Sequence, residues 1–283
     1  MNPNPKQYND NNEFQRYEAA KLFSTIKDDF GPSPKFRSVV DIGCGTGKVT
    51  LDFLQYAKCD HLIAFDKNEN MVEFARQNNK SNEISYEVSD ITHSFTKLKC
   101  DIKLVDEVDL VYSVYCLHFV EQKAKIFNNI FHLLKAGGKC YLMLLYWSDL
   151  FAYQHQFAEN SKWNKYIPNF EAILSQCAPF HKAMHPEIGD TVNEWRKLLE
   201  TFGFTKCTIT VEKDAYLFKN FNEFKLFLEP VCPIINMIPK SERKEFIKDY
   251  FEFIRINYNQ KIKPYDDSYE WRYEYCIIKA EKC

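Results

Sequence analysis

The sequence predicts an α/β fold, a parallel sheet with helices on both faces, and three observations carry that expectation. Runs of β-branched and other apolar residues alternate five times with helix-compatible segments between residues 37 and 146, joined by short links. Parallel strands need crossover connections of this kind. Acids stand at or near the ends of the first three runs, at Asp41, Asp66 and Asp90. The stretch Val39-Val40-Asp41-Ile42-Gly43-Cys44-Gly45-Thr46-Gly47-Lys48-Val49-Thr50 reads as a strand, a tight turn and a helix N-terminus. Alternating glycines there leave backbone bare for a ligand and permit angles other residues resist.

The elements follow in order. Residues 1–36 open polar and asparagine-rich, then turn helical, with Phe14, Tyr17, Ala20 and Phe23 near helical spacing until Gly31-Pro32-Ser33-Pro34 ends the segment. Arg37–Ile42 is the first strand and Thr46–Tyr56 a helix. His61–Asp66 is a second buried strand, followed by a helix over Asn68–Asn78 with Asn68 as its cap. Ile84–Asp90 alternates as a third strand, and 92–107 forms a polar connection with no assigned shape. Val108–Ser113 is the fourth strand, Val114–Val120 a loop, and Gln122–Leu134 a helix closed by Ala136-Gly137-Gly138. Lys139–Tyr146 is a long apolar fifth strand.

The rhythm then breaks. Residues 147–190 carry many aromatics with little strand character and read as a cap inserted after the fifth strand, which makes 37–146 the core unit. Alternation resumes with a helix over Val192–Phe202, Gly203 past its end, and a strand over Thr205–Val211. Cap helices are expected over about 213–258, interrupted by Pro230 and Pro233 and ending in an amphipathic helix over Ser241–Tyr258. Tyr269–Lys279 is the last strand, so 191–283 completes the sheet and part of the cap.

Composition excludes several classes. A net charge of −2 gives no general attraction to nucleic acid or anionic lipid. With 45% hydrophobic residues a core is attainable, and aromatics at 16%, many in the second half, suit an apolar pocket as well as a core. No C-x-x-C pair marks a metal site. The ten cysteines are too sparse for a disulfide scaffold, which points to a reducing, cytoplasmic setting. No uninterrupted apolar run of ~20 residues is long enough to span a membrane.

The glycine spacing decides the ligand class. A dinucleotide fingerprint has G-x-G-x-x-G, but here the third glycine comes one residue early, at Gly47, and Lys48 stands in its place. The turn therefore suits a nucleoside cofactor rather than a pyrophosphate. Asp66, 25 positions after Asp41, is placed to accept from ribose hydroxyls. Asp90 accepts from an adenine amino group while Ile91 covers the ring, and Asp41 could face a sulfonium. Each acid alone equally suits capping of the next helix; the three together argue for a site. The strand ends also bring Gly43, Cys44, Gly45, Gly47, Lys67, Met71 and Ser113 into the cofactor set.

Asp41-x-Gly43-x-Gly45-x-Gly47, Asp66 and Asp90-Ile91 resemble the class I S-adenosylmethionine-dependent methyltransferases. The resemblance extends along nearly the whole chain to the insect juvenile hormone acid O-methyltransferases. It runs through Tyr8, Asn12, Gln15 and Ala19, Cys116-Leu117-His118, Asn129-Ile130, Leu133-Leu134-Lys135, Lys162-Trp163, Ala178-Pro179-Phe180-His181, Glu245-Phe246 and Asp249-Tyr250. It implies a Rossmann-like sheet of seven mostly parallel strands with a helical cap, and an N-terminal segment that gates the substrate. It also implies S-adenosylmethionine as cofactor, S-adenosylhomocysteine as product, and no metal. The implied reaction is methylation of the carboxylate of farnesoic or juvenile hormone acid by a monomer or homodimer. Gln15 and His118 carry over as catalytic residues and, with Phe119, as substrate contacts; Tyr115, Trp147 and Tyr153 complete the expected substrate set. The chain departs from the family pattern at Phe119, where tryptophan is usual, at Cys232-Pro233-Ile234, and at Lys67.

A carboxylate, with a pKa of about 4, is already ionised near neutrality, so such a reaction needs no strong base. The protein must place the reactants and exclude water. A neutral donor such as Gln15 orients the anion without quenching it as an arginine would. His118 suits a second donor, or equally a bond to its own loop backbone, and Phe119 a contact with an isoprenoid chain, or the core. Each buried CH₂ of that chain contributes ~0.8 kcal/mol. A fatty acid, a phenol or an amine as acceptor, or a lipid-binding protein without turnover, are the alternatives.

Overall fold

The computed structural model describes residues 4–148, 150–170, 191–257 and 268–283. A short helix, α1 (Pro5–Asp10), is capped by the Asn4 side chain and leads into the long α2 (Glu13–Phe30). The alternation expected from the sequence then unfolds as β1 (Lys35–Ile42), α3 (Lys48–Phe53), β2 (Lys58–Asp66), α4 (Glu69–Asn78), β3 (Ile84–Val88), α5 (Phe95–Asp101), β4 (Val108–Val114), α6 (Lys123–Leu133) and β5 (Leu134–Ser148). Beyond it come α7 (Leu150–Asn160), α8 (Thr191–Thr201), β6 (Phe204–Phe218), α9 (Phe221–Val231), a 3-10 turn (Pro233–Met237), α10 (Arg243–Asn257) and β7 (Tyr269–Lys282).

Seven strands form one sheet in the order β3-β2-β1-β4-β5-β7-β6. The first five are mutually parallel, and β7 runs antiparallel to both β5 and β6. The strand order reverses between β1 and β4, where a crevice opens above the strand ends. Side chains alternate between two cores because successive residues point to opposite faces. Val39, Leu110, Tyr141 and Met143 join α2, α3 and α4 on one face. Val40, Val111, Leu142 and Leu144 join α5, α6 and α8 on the other.

Several boundaries differ from the sequence expectation, each for a physical reason. The polar connection at 92–107 contains α5, started by the Ser94 side chain accepting from the Lys97 amide and anchored by fully buried Leu98. The helix after the glycine turn covers only Lys48–Phe53 rather than 46–56, since Gly47, at φ +78, caps it. The third strand stops at Val88, leaving Ser89 and Asp90 in the loop. The fifth begins at Leu134 and runs to Ser148, so Trp147 belongs to the sheet rather than to the cap. The sixth extends to Phe218 because an antiparallel partner supplies hydrogen bonds to its exposed, charged second half. The cap helices therefore begin at Phe221, not near 213.

The described part of the cap, 150–170, packs on α10: the Phe157 ring meets Phe246 and Tyr250, and the Trp163 indole N–H donates to Asp249 at 3.1 Å. The segment Ala178-Pro179-Phe180-His181 and residue Tyr258 lie outside the described residues. No described helix is long and apolar enough to cross a membrane. Among the described residues no cluster of three or more His, Cys, Asp or Glu is placed to hold a metal ion.

Candidate functional site

The C-terminal ends of β1 to β4 meet at one cavity of about 400 Å³. β1 supplies Ile42 and Gly43, β2 supplies Phe65 and Asp66, the loop after β3 supplies Ser89, Asp90 and Ile91, and the loop after β4 supplies Tyr115, Cys116, Phe119 and Val120. Lys67, Asn68 and Met71 close the side toward α4, Tyr8 and Gly45 the side toward α1, and Asn236 and Met237 of the 3-10 turn the outer rim.

The turn owes its shape to glycine, but not wholly for the reason expected. A Cβ on Gly43 would stand 2.1 Å from Cys116 Sγ, and one on Gly47 2.6 Å from the Tyr86 hydroxyl. Both positions are bare because protein side chains fill the space. Gly45 (φ +53) faces Tyr8, whose ring lies 3.5 Å from where its Cβ would be. The amides of Gly43 and Cys44 both donate to Phe65 O, at 2.8 and 3.1 Å, which bends the turn over the end of β2.

Asp66 organises that end. Its Oδ2 accepts from the Gly45 amide at 3.0 Å and its Oδ1 from the Asn68 amide at 2.8 Å. Burial raises its pKa against those two bonds, and a carboxylate keeps lone pairs for further donors. Asp90 also lines the cavity, with Oδ1 accepting from the amide and hydroxyl of Thr92, both at 2.8 Å. Ile91 and Met71 are buried beside it. The set joins carboxylates, backbone amides and flat apolar surface, which is the chemistry a nucleoside with a charged tail requires.

Other expected cofactor residues stand behind the wall. Asp41 is buried beneath the turn, where its Oδ2 accepts from Thr50 Oγ1 at 2.6 Å; burial pushes its carboxyl up to about 7. Ser113 donates to Ile42 O at 2.7 Å and ties β4 to β1 at the strand-order reversal. Cys44 is buried and Gly47 caps α3; neither lines the cavity. These four support the turn from within.

The expected acceptor residues divide. Tyr115 and Phe119 are on the wall. His118 is buried behind Phe119, ring centroids 4.1 Å apart, and its Nδ1 accepts from the Leu145 amide at 3.4 Å. Burial alone lowers its pKa to about 3, so the ring is neutral. Gln15 sits on the inner face of α2, 7% exposed, and does not line the cavity; its Oε1 is buried with no hydrogen-bond partner. Trp147 and Tyr153 are half-buried in the core packing and lie away from the cavity.

Among the wall residues that escaped the sequence reading as site residues, three come from outside the strand ends and the loops that follow them: Tyr8, Asn236 and Met237. Tyr8 is the only aromatic side chain among the first thirteen, and that isolation is a legible signal. Its helix is pinned to the turn: Lys48 Nζ donates to Asn9 O at 3.2 Å, and Asn79 Nδ2 to Asn9 Oδ1 at 3.3 Å and Thr46 O at 2.7 Å. Lys48, standing where a dinucleotide fold has its third glycine, thus pins α1 instead. Asn236 and Met237 are presented by a turn anchored through buried Ile234, Ile235 and Ile238. Arg243 clamps it by donating to Ile238 O at 2.9 Å and Asn236 O at 3.1 Å. Only the fold reveals that placement.

A family model described as a methyltransferase domain matches residues 35–203. The juvenile hormone acid O-methyltransferase of Drosophila melanogaster is 26% identical over 285 residues, 97% of this chain and 91% of that protein. The enzyme of the same name from Bombyx mori is 27% identical over 219 residues, 77% of this chain and 73% of that one. Among solved structures, a putative methyltransferase from Bacillus halodurans shares the fold with a TM-score of 0.55 at 18% identity, covering 94% of this chain and 99% of its own.

Proposed function

The chain belongs to the methyltransferase-domain family, and from that premise we propose that it transfers a methyl group from S-adenosylmethionine to the carboxylate of an apolar acid, of the farnesoic or juvenile hormone acid type, giving the methyl ester. Asp66 takes the ribose hydroxyls, Asp90 and Ile91 the adenine, and the Gly43–Gly45 backbone with Tyr8 the amino-acid end. The strand-end cavity lined by these residues, with its acids beside apolar surface, fits that group. When bound, the cofactor supplies an electrophilic methyl carbon on a positively charged sulfur.

One observation carries the choice of acceptor: among the described residues, the acceptor side of the wall offers no side chain suited to removing a proton. The Tyr115 hydroxyl is turned away to Glu18 at 3.2 Å. His118 lies behind Phe119 with Nδ1 already engaged and a pKa near 3, too low for a base at neutrality. The Cys116 thiol is raised by burial and by nearby Asp66, so it holds its proton. An acceptor that arrives ionised meets this wall without loss; a phenol or an ammonium group does not. Tyr115, Phe119, Val120 and Met237 receive its apolar tail. The family resemblance assigns orientation of the carboxylate to Gln15, whose Nε2 is the amide's donor; its side chain is buried on α2 and does not line the cavity. The names of the two insect relatives support the same reading.

The test is an incubation with methyl-labelled cofactor and a panel of farnesoic, juvenile hormone and fatty acids, a phenol and an amine. A labelled methyl ester from an apolar acid is the expected product. Label in the phenol or amine alone would move the reaction to another acceptor class, and label in none of them would contradict turnover on this panel.

A further inference from the structure

Glu18 is a charged residue with no exposed surface, and three donors converge on its carboxylate. Oε1 accepts from the Tyr273 hydroxyl of β7 at 2.7 Å and from Lys21, one turn on in α2. Oε2 accepts from the Tyr115 hydroxyl at 3.2 Å. Lys21 also reaches Asp214 of β6. A buried carboxylate needs such partners to offset its desolvation, and burial still raises its pKa. Lys21 and Tyr273 would serve that purpose without a third donor. The third comes from a cavity-wall residue in a conformation that aromatic residues seldom adopt: Tyr115 has φ +50, directly after β4. Its amide donates to Met143 O at 2.9 Å, and its ring stands edge-on to Phe14 and to His118.

We propose that Glu18 is a positioning residue of the methyl-transfer site, holding the Tyr115 ring on the acceptor wall and setting the rotation of α2, which carries Gln15 one turn earlier. The inference rests on the functional reading above and deepens it. Glu18 touches neither reactant. It acts through Tyr115, whose hydroxyl it draws out of the cavity so that the acceptor meets the ring, and through the helix that it fastens to β6 and β7.

The experiment compares full-length wild type with Glu18→Gln, Tyr115→Phe and the double variant. It reads the unfolding midpoint, the affinity for S-adenosylhomocysteine by calorimetry, and kcat and KM for the best acid of the panel. Each single variant is expected to raise the acid KM about fivefold, the worth of one hydrogen bond, and the double variant no further. Product affinity is expected to stay unchanged. A KM that does not move in either single variant, or two effects that multiply in the double, would overturn the inference and leave Glu18 a purely internal link. If Glu18→Gln does not fold, Tyr273→Phe weakens the same carboxylate from β7, away from the cavity, and carries the same expectation of a raised KM. A wild type that methylates no acid sinks the functional reading and this inference with it; an active wild type with unmoved variants sinks only the inference.

Discussion

His118 carries its role in its burial. The unfolded chain takes up a proton on this side chain as pH falls below about 6.5, whereas the fold refuses it until about 3. Its contribution to stability is therefore fully present above about pH 6.5 and drains away as pH falls toward 3. His118→Asn keeps an acceptor for the Leu145 amide and removes the titration. Between about pH 7 and about pH 4, the urea midpoint of the variant should fall less than that of the wild type; equal losses would show that the ring is not held neutral by the fold. The same burial predicts a kcat profile with no ionisation near 6.5. The orienting role proposed for Gln15 would act differently, through a donor rather than a charge. Gln15→Ala should lower kcat/KM for the acid by about tenfold, as expected for a hydrogen bond to an anion, with cofactor affinity unchanged. Unaltered turnover would remove it from the acceptor site. Its importance in the sequence came from a resemblance, since an isolated glutamine on a helix has no local signature.

At the scale of elements, the proposed acceptor end is assembled from pieces far apart in the chain: the loop after β4 and the 3-10 turn. That is why it was the less legible half. The strand-end acids announce themselves because they terminate apolar runs, and Asp66 and Asp90 line the cavity as the spacing implied. Met237 lies among buried Ile234, Ile235 and Ile238 and reads as one more of them; Arg243, clamping the carbonyls of Asn236 and Ile238, holds the turn that carries it to the rim. A thioether there adapts to an irregular apolar tail. Met237→Ala should shift preference toward bulkier or longer acids, and Met237→Trp toward shorter ones, by about tenfold in relative kcat/KM. A chain-length profile identical to wild type in both variants would place the tail elsewhere. Element ends were missed for a related reason. β6 runs past its apolar half because β7 pairs with it, and pairing leaves no mark in a strand whose outer residues are charged.

For the whole molecule, the sheet was legible because fully buried parallel strands carry near-continuous apolar runs. Its two cores follow from the alternation of Val39 with Val40 and Leu110 with Val111. The reversed β7 closes the sheet between β5 and β6, and its Tyr273 links the far side of the fold to Glu18 and the acceptor wall. The strand-order reversal at β1 and β4 puts the cavity where four strand ends meet, and the cap turn and N-terminal helix form its outer wall. The central claim is that one adenosyl cofactor lies there with an apolar acid before it. A crystal structure of the complex with S-adenosylhomocysteine and farnesoic acid tests this most directly. The account predicts ribose at Asp66, adenine between Asp90 and Ile91, and the acid between Tyr115, Phe119 and Met237; nucleoside density at any other place would contradict it.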